Sequence, residues 1–169
     1  MISETIQTQI NDQIQAEIYS SYLYLQMSAW LDEQGMKGMS RWMDIQSQEE
    51  WVHAMKFYRY LLERGGTVAF QAIQAPPTTW ASPLAVFQET LEHERMVTGR
   101  INALVDLAIE ERDHATRSLL QWFVDEQVEE ESNAEENVRL LTMSDGNPQA
   151  TFMIDRQMIG RPEMTPPVV

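Results

Sequence analysis

Gln48-Glu49-Glu50-Trp51-Val52-His53 holds a Glu-x-x-His pair, Glu50 and His53. On a helix, residues three apart share a face, so this carboxylate and this imidazole point the same way. Both groups ligate first-row divalent metals such as iron and zinc. A lone Glu-x-x-His arises by chance, so its meaning depends on what the rest of the chain sets at the same depth.

The surrounding chain leaves room for long helices. Prolines fall at 76, 77, 83, 148, 162, 166 and 167, and none falls in 1–75 or 84–147. Proline breaks helix interiors, so these gaps predict uninterrupted helices. A first helix is expected over about 4–32, with Ile6, Ile10, Ile14, Glu17, Tyr24 and Leu31 on its stripe. Gly35 and Gly38 bracket a turn, and a second helix should return over about 39–64 with Met43, Gln46, Glu50, His53, Phe57 and Tyr60 on one face. Residues 65–81 are then too long for a simple turn, which is explained if they cross the whole bundle and set the third helix parallel to the second. Val68, Phe70, Ile73 and Trp80 would pack on the bundle or on a neighbouring subunit.

Ser82-Pro83 reads as a helix start, with Ser as cap and Pro in the first turn. The third helix should reach about 111, with Leu84, Phe87, Leu91, Glu94, Ile101 and Val105 inward. Gly99 sits inside it, where glycine costs about 1 kcal/mol against alanine, and close helix packing is the usual reason. The fourth helix, about 115–142, carries Leu119, Phe123, Gln127, Glu130, Val138 and Leu141. A short fifth helix is expected over 149–159. The domain is therefore 1–160, and 161–169 is expected to be a flexible C-terminal tail.

Composition narrows the partners. Twelve basic against twenty-six acidic residues give −14, which disfavours nucleic acid and favours cations or plain solubility. There is no cysteine, hence no disulfide and no thiolate metal site, which suits a reducing compartment. No run approaches 18 apolar residues, and the start of the chain does not read as a signal peptide. The expected setting is cytoplasmic, without membrane.

Four long helices thus each carry a carboxylate inside the face that should be buried: Glu17, Glu50, Glu94 and Glu130. An unpaired buried Glu costs several kcal/mol or takes a proton. No lysine or arginine sits on these stripes. The bland alternative turns each helix so that its Glu faces water. Four at matching depth, with His53, point instead to a metal cluster of carboxylates and one imidazole, suited to two irons.

Glu17, Glu50-x-x-His53, Glu94 and Gln127-x-x-Glu130 resemble the ferroxidase centre of the ferritins, specifically the haem-free bacterial type. The resemblance extends through Glu17-Ile-Tyr-Ser-Ser, Met27-Ser-Ala-Trp30 and Gln121-Trp-Phe-Val-Asp-Glu-Gln127. It implies an all-α, ferritin-like four-helix bundle with a long crossover between its second and third helices. It also implies a cage of twenty-four subunits in which Fe(II) is oxidised by O2 or H2O2 and stored as ferric oxide. Carried over, Glu17, Glu50 and His53 hold one iron, Glu50 bridges, and Glu94 and Glu130 hold the second. Gln127 lies near the oxygen site, and Tyr24 is a hydrogen-bonding or redox-active neighbour. A third iron site is implied at Glu49, Glu126, Glu129 and Glu130, against the alternative of a solvated acidic face. Trp122 matches a tryptophan that supplies an electron, or is an ordinary packed aromatic. Bacterioferritins place a haem-ligating Met just before the ligand His, where this chain has Val52, so no haem is expected. They also carry a second Glu-x-x-His where this chain has Gln127-Val-Glu-Glu130. Channel positions that are acidic in animal ferritins fall near Arg117 and Leu120.

His93 and His114 are expected at the surface. A rubrerythrin-type peroxidase would need a cysteine site or more Glu-x-x-His repeats. A cytokine-type bundle predicts no metal, and mini-ferritins build their site across a subunit interface.

Overall fold

The computed structural model describes residues 2–162. It contains five helices: α1 Glu4–Glu33, α2 Lys37–Glu63, α3 Pro83–Glu110, α4 His114–Met143 and α5 Pro148–Met158. Their starts follow side-chain chemistry. Ser3 Oγ accepts from Ile6 N at 3.1 Å, Ser82 Oγ accepts from Ala85 N at 3.1 Å, and Asn147 Oδ1 accepts from Gln149 N at 2.9 Å. Pro83 and Pro148 occupy first-turn positions, where the missing N–H is no loss. Gly35 and Gly65 follow α1 and α2 with φ of +79° and +71°, the left-handed geometry that ends a helix cheaply only with glycine.

The four long helices bury two apolar clusters. One joins Leu23, Met27 and Leu31 of α1 to Met39, Trp42 and Met43 of α2, Val86 and Phe87 of α3, and Leu141 of α4. The other joins Ile6, Ile10 and Ile14 to Phe57, Leu61, Ile101, Leu104, Leu120 and Phe123. The N-terminal parts of α2 and α3 thus share one end of the bundle. These two helices run parallel, as the long crossover demands. A layer of polar side chains separates the two clusters at mid-height.

The crossover is laced along α1. Asn11 Nδ2 donates to Thr67 O at 3.0 Å and its Oδ1 accepts from Ala69 N at 2.8 Å, while Gln15 Nε2 donates to Ala72 O at 2.9 Å. These side chains satisfy loop backbone groups that would otherwise lie unpaired against the bundle. Of the apolar residues expected to anchor it, Val68 and Trp80 pack on the clusters, whereas Phe70 and Ile73 remain 66% and 40% exposed.

Two expectations need correction. Gly99 has open space where a Cβ would stand, so close packing within this chain does not explain it. Arg161, the first residue of the expected flexible tail, is bonded to α2, and 163–169 lie outside the described residues.

At the opposite end from α5, Asp113 caps α4 through Thr116 N at 3.1 Å and receives both Arg64 guanidinium nitrogens at 3.0 and 2.9 Å. Burial pushes its carboxyl up, but these bonds outweigh it and hold it down at about 2. Its folded value lies below its unfolded one, so this stabilisation is present above the ordinary value of 3.8 and is lost as pH falls toward 2. Asp113→Ala should cost about 2 kcal/mol at neutral pH, read by denaturant unfolding, with the deficit shrinking as pH falls from 3.8 toward 2. A loss that stays constant with pH would rule out the charge.

Candidate metal centre

The layer between the clusters is built by one glutamate from each long helix. Glu17, Glu50, Glu94 and Glu130 are 1–5% exposed. His53 follows Glu50 by three residues and is 4% exposed, with Nδ1 3.3 Å from Glu50 Oε2. Ligand atoms of Glu17, Glu50 and His53 all lie within 4.8 Å of one another, and so do those of His53, Glu126 and Glu130.

Glutamines hold the carboxylates in place. Gln13, one turn before Glu17, donates to Glu17 Oε1 at 2.7 Å. Gln46, one turn before Glu50, donates through Nε2 to Glu50 Oε1 at 3.0 Å and to Glu130 Oε2 at 2.8 Å. That single amide gathers carboxylates from α2 and α4 around one space. Gln127 Nε2 lies 3.2 Å from Glu94 Oε2, and Tyr24 Oη donates to Glu94 Oε1. The two arginines that reach this layer stay behind glutamines. Arg100 Nε bonds Gln13 Oε1 at 3.0 Å, and Arg161 Nη2 bonds Gln46 Oε1 at 2.9 Å.

Among the described residues these bonds leave one buried side-chain atom over. Glu17 Oε2 is buried and has no hydrogen-bond partner. A buried carboxylate oxygen without a donor costs free energy, and the Glu17 carboxylate clusters with Glu50 and His53. Burial first, then the neighbouring Glu50 charge, pushes the Glu17 carboxyl well above the usual range. Burial and the Glu94 charge do the same to Glu50, and burial and the Glu50 charge to Glu130. Burial raises Glu94 against the lowering bond from Tyr24. Burial and the Glu94 charge raise the Tyr24 phenol in turn, so it stays a donor. Such a set of like charges is relieved by a divalent cation, and hard carboxylate oxygens with one imidazole fit iron.

The remaining expected residues divide. Glu126 joins His53 and Glu130, but Glu49 and Glu129 belong to neither three-residue cluster among the described residues. Glu49 is ion-paired with Arg161, and Glu129 is exposed. A cleft of about 540 Å³ opens onto His53, with Glu49, Lys56, Trp122 and Glu126 along it. Trp122 meets the His53 ring edge-on at 5.4 Å, and Lys56 Nζ sits 3.4 Å from its centroid.

His93 departs from expectation. It is 9% exposed, bonded through Nε2 to Ser20 Oγ at 2.8 Å, and packed edge-on against Tyr24 at 5.7 Å. Burial and nearby Arg100 push its pKa down to about 4, so it is neutral near pH 7. His114 is exposed as expected. Gln13, Arg100 and Arg161 were not legible as site residues; only Gln13 had a local signal, its one-turn spacing from Glu17.

Residues 7–144 match the family model described as a ferritin-like domain. A bacterial non-heme ferritin of Bacteroides fragilis is 44% identical over 158 residues, covering 94% of this chain and 98% of that protein. A probable bacterial non-heme ferritin-like protein of Haemophilus influenzae is 39% identical, covering 94% and 96%. Among solved structures, the open pore ferritin of the archaeon Archaeoglobus fulgidus superposes with a TM-score of 0.95 at 46% identity, covering 96% of this chain and 100% of that one. No helix among the described residues is long and apolar enough to cross a membrane.

Proposed function

We propose, on the premise that this chain belongs to the ferritin family and so stores iron, that it is a ferroxidase working at the mid-bundle carboxylate layer. The observation that carries the reading is the buried Glu17 carboxylate, which clusters with Glu50 and His53 and keeps one oxygen, Oε2, without a donor. Two Fe(II) ions are the substrate. Glu17, Glu50 and His53 take the first, and Glu50, Glu94 and Glu130 the second. Each Fe(II) gives up one electron. The pair reduces O2 to H2O2 with two protons, or H2O2 to two waters with two protons.

The chain's own groups prepare this step. Gln13 and Gln46 fix the carboxylate rotamers, so metal positions are preset rather than ordered at the moment of binding. Tyr24 and Gln127 aim Glu94. Carboxyls whose pKa is raised by burial exchange protons for a cation, which makes binding proton-releasing. Carboxylate oxygens favour Fe(III) over Fe(II), which drives the oxidation, and a single imidazole leaves positions open for oxygen.

Product Fe(III) would move by way of the acidic cluster of Glu49, Glu126, Glu129 and Glu130, the proposed third iron position, into a 24-subunit homo-oligomeric cage and mineralise there as ferric oxide. The family and the high similarity to a solved ferritin support that assembly. The relatives named non-heme support a centre without haem, and a cytoplasmic setting is part of the same proposal.

Anaerobic Fe(II) titration of the apoprotein, followed by an oxygen pulse read at the di-ferric absorbance, tests it. The expected result is two tightly bound irons per subunit, oxidised together. Absence of saturable binding would refute the centre and leave the four buried glutamates without a role.

A further inference from the structure

The Arg161 side chain is unusual among the cations of this chain because it reaches the polar layer from beyond the last helix. Nη1 donates to Trp42 O at 3.0 Å, and Nη2 donates to Gln46 Oε1 at 2.9 Å and to Glu49 Oε2. The guanidinium carbon lies 4.1 Å from the Trp42 ring centroid. The ion pair is largely covered, with the two side chains 14% and 21% exposed. Just before it, Arg41 Nε holds Ile159 O at 3.3 Å. A stacked, part-buried arginine that donates to three separate acceptors is fixed in place rather than loosely solvated.

Two consequences follow from chemistry alone. Glu49 lines the same cleft as Glu126, and its carboxylate is ion-paired with the Arg161 guanidinium. Glu49 therefore already has a cation. Gln46 is also fixed: with Oε1 accepting from Arg161, its amide must present Nε2 to Glu50 and Glu130. Reversing that amide would set its oxygen against two carboxylates.

We infer that Arg161 is a tethered cation that stands in for a third metal ion at Glu49 and orients Gln46 for the two inner ions. The inference rests on the ferroxidase reading above. A metal ion arriving at the outer cluster must displace the guanidinium or accept a site lacking Glu49. The strap after α5 thereby keeps the outer position weak and favours onward movement of iron over retention there.

Calorimetric titration of the assembled apoprotein with Co(II), without oxygen, reads this independently of turnover. The native protein should bind two ions per subunit tightly and a third weakly. Arg161→Gln should tighten the third by about tenfold, the effect of removing one nearby positive charge. Arg161→Lys keeps a charge and should leave the third weak. Adding Glu49→Gln to Arg161→Gln should erase the gain, since both act through one carboxylate. Two tight ions with an unchanged third in Arg161→Gln, or a gain that survives Glu49→Gln, would overturn the inference alone. Loss of the two tight ions in the native protein would overturn the ferroxidase reading and this inference with it.

Discussion

Glu50→Gln is expected to slow rapid iron oxidation by at least about a hundredfold while leaving the helices folded. The amide has nearly the same volume, and it can still accept from Gln46 Nε2, which lies 3.0 Å from Glu50 Oε1. What it lacks is the negative charge shared between two metal positions. The same change should affect stability in the opposite sense. Glu50 is 2% exposed, and burial followed by the Glu94 charge raises its carboxyl well above the usual range. A carboxyl raised in the folded state favours folding at low pH and weakens it as pH climbs from the ordinary carboxylate range through the raised folded value. The metal-free native protein should therefore lose stability over that window, and Glu50→Gln should lose less. At neutral pH the metal-free variant should melt at or above the native temperature. A divalent ion at a hundred times its Kd should stabilise the native protein by about 2.7 kcal/mol, or about 5–10 °C for a chain of this size, and the variant far less. Oxidation at the native rate, or an undiminished melting shift with Co(II), would remove Glu50 from the centre.

This opposition between folding and the proposed function explains why the candidate centre was legible in the sequence. Four carboxylates on faces that otherwise hold Ile, Leu, Phe and Met break the helical period at one depth. A local rule violated four times in register needs a common cause. The helices themselves were legible because proline-free spans, caps and glycine ends all agree, and their bounds shifted by no more than two residues.

What the sequence concealed depends on contacts between distant segments. Helical spacing turns His93 outward, about 100° around the helix from Glu94. In a bundle, however, the covered arc of α3 reaches past that angle to the seam with α1, where Ser20 meets it. Arg161 reaches Gln46 across 115 positions, and no periodicity carries such a pairing. The N-terminus of α2 is a third case. Met36 gives it no side-chain cap, and Asp155 of α5 supplies one instead, accepting from Gly38 N and Met39 N at 2.9 Å each.

That third case yields the other large effect. Gly38 reads in sequence as turn punctuation, yet it is the second residue of α2, where exchange for alanine should stabilise by at most about 1 kcal/mol on helix propensity. The packing predicts the reverse. A Cβ at Gly38 would overlap the backbone carbonyl of Asp155, an atom that cannot swing aside as a side chain can. Either α5 retreats or α2 distorts. Overpacking of this kind costs about 1–3 kcal/mol, and retreat of α5 also removes the two Asp155 bonds, worth about 1 kcal/mol each. Gly38→Ala should therefore destabilise the protein by about 3 kcal/mol on the sum of these opposing effects. Hydrogen exchange should show Pro148–Met158 losing protection while α1 and α3 keep theirs. Because Arg161 follows α5 directly, its hold on Glu49 should loosen at the same time. The third Co(II) should then tighten in Gly38→Ala much as in Arg161→Gln, although Gly38 touches no carboxylate of the layer. A stabilised Gly38→Ala protein with α5 still protected would mean that helix propensity wins. It would also mean that α5 and α2 can separate enough to admit a methyl group without releasing the strap.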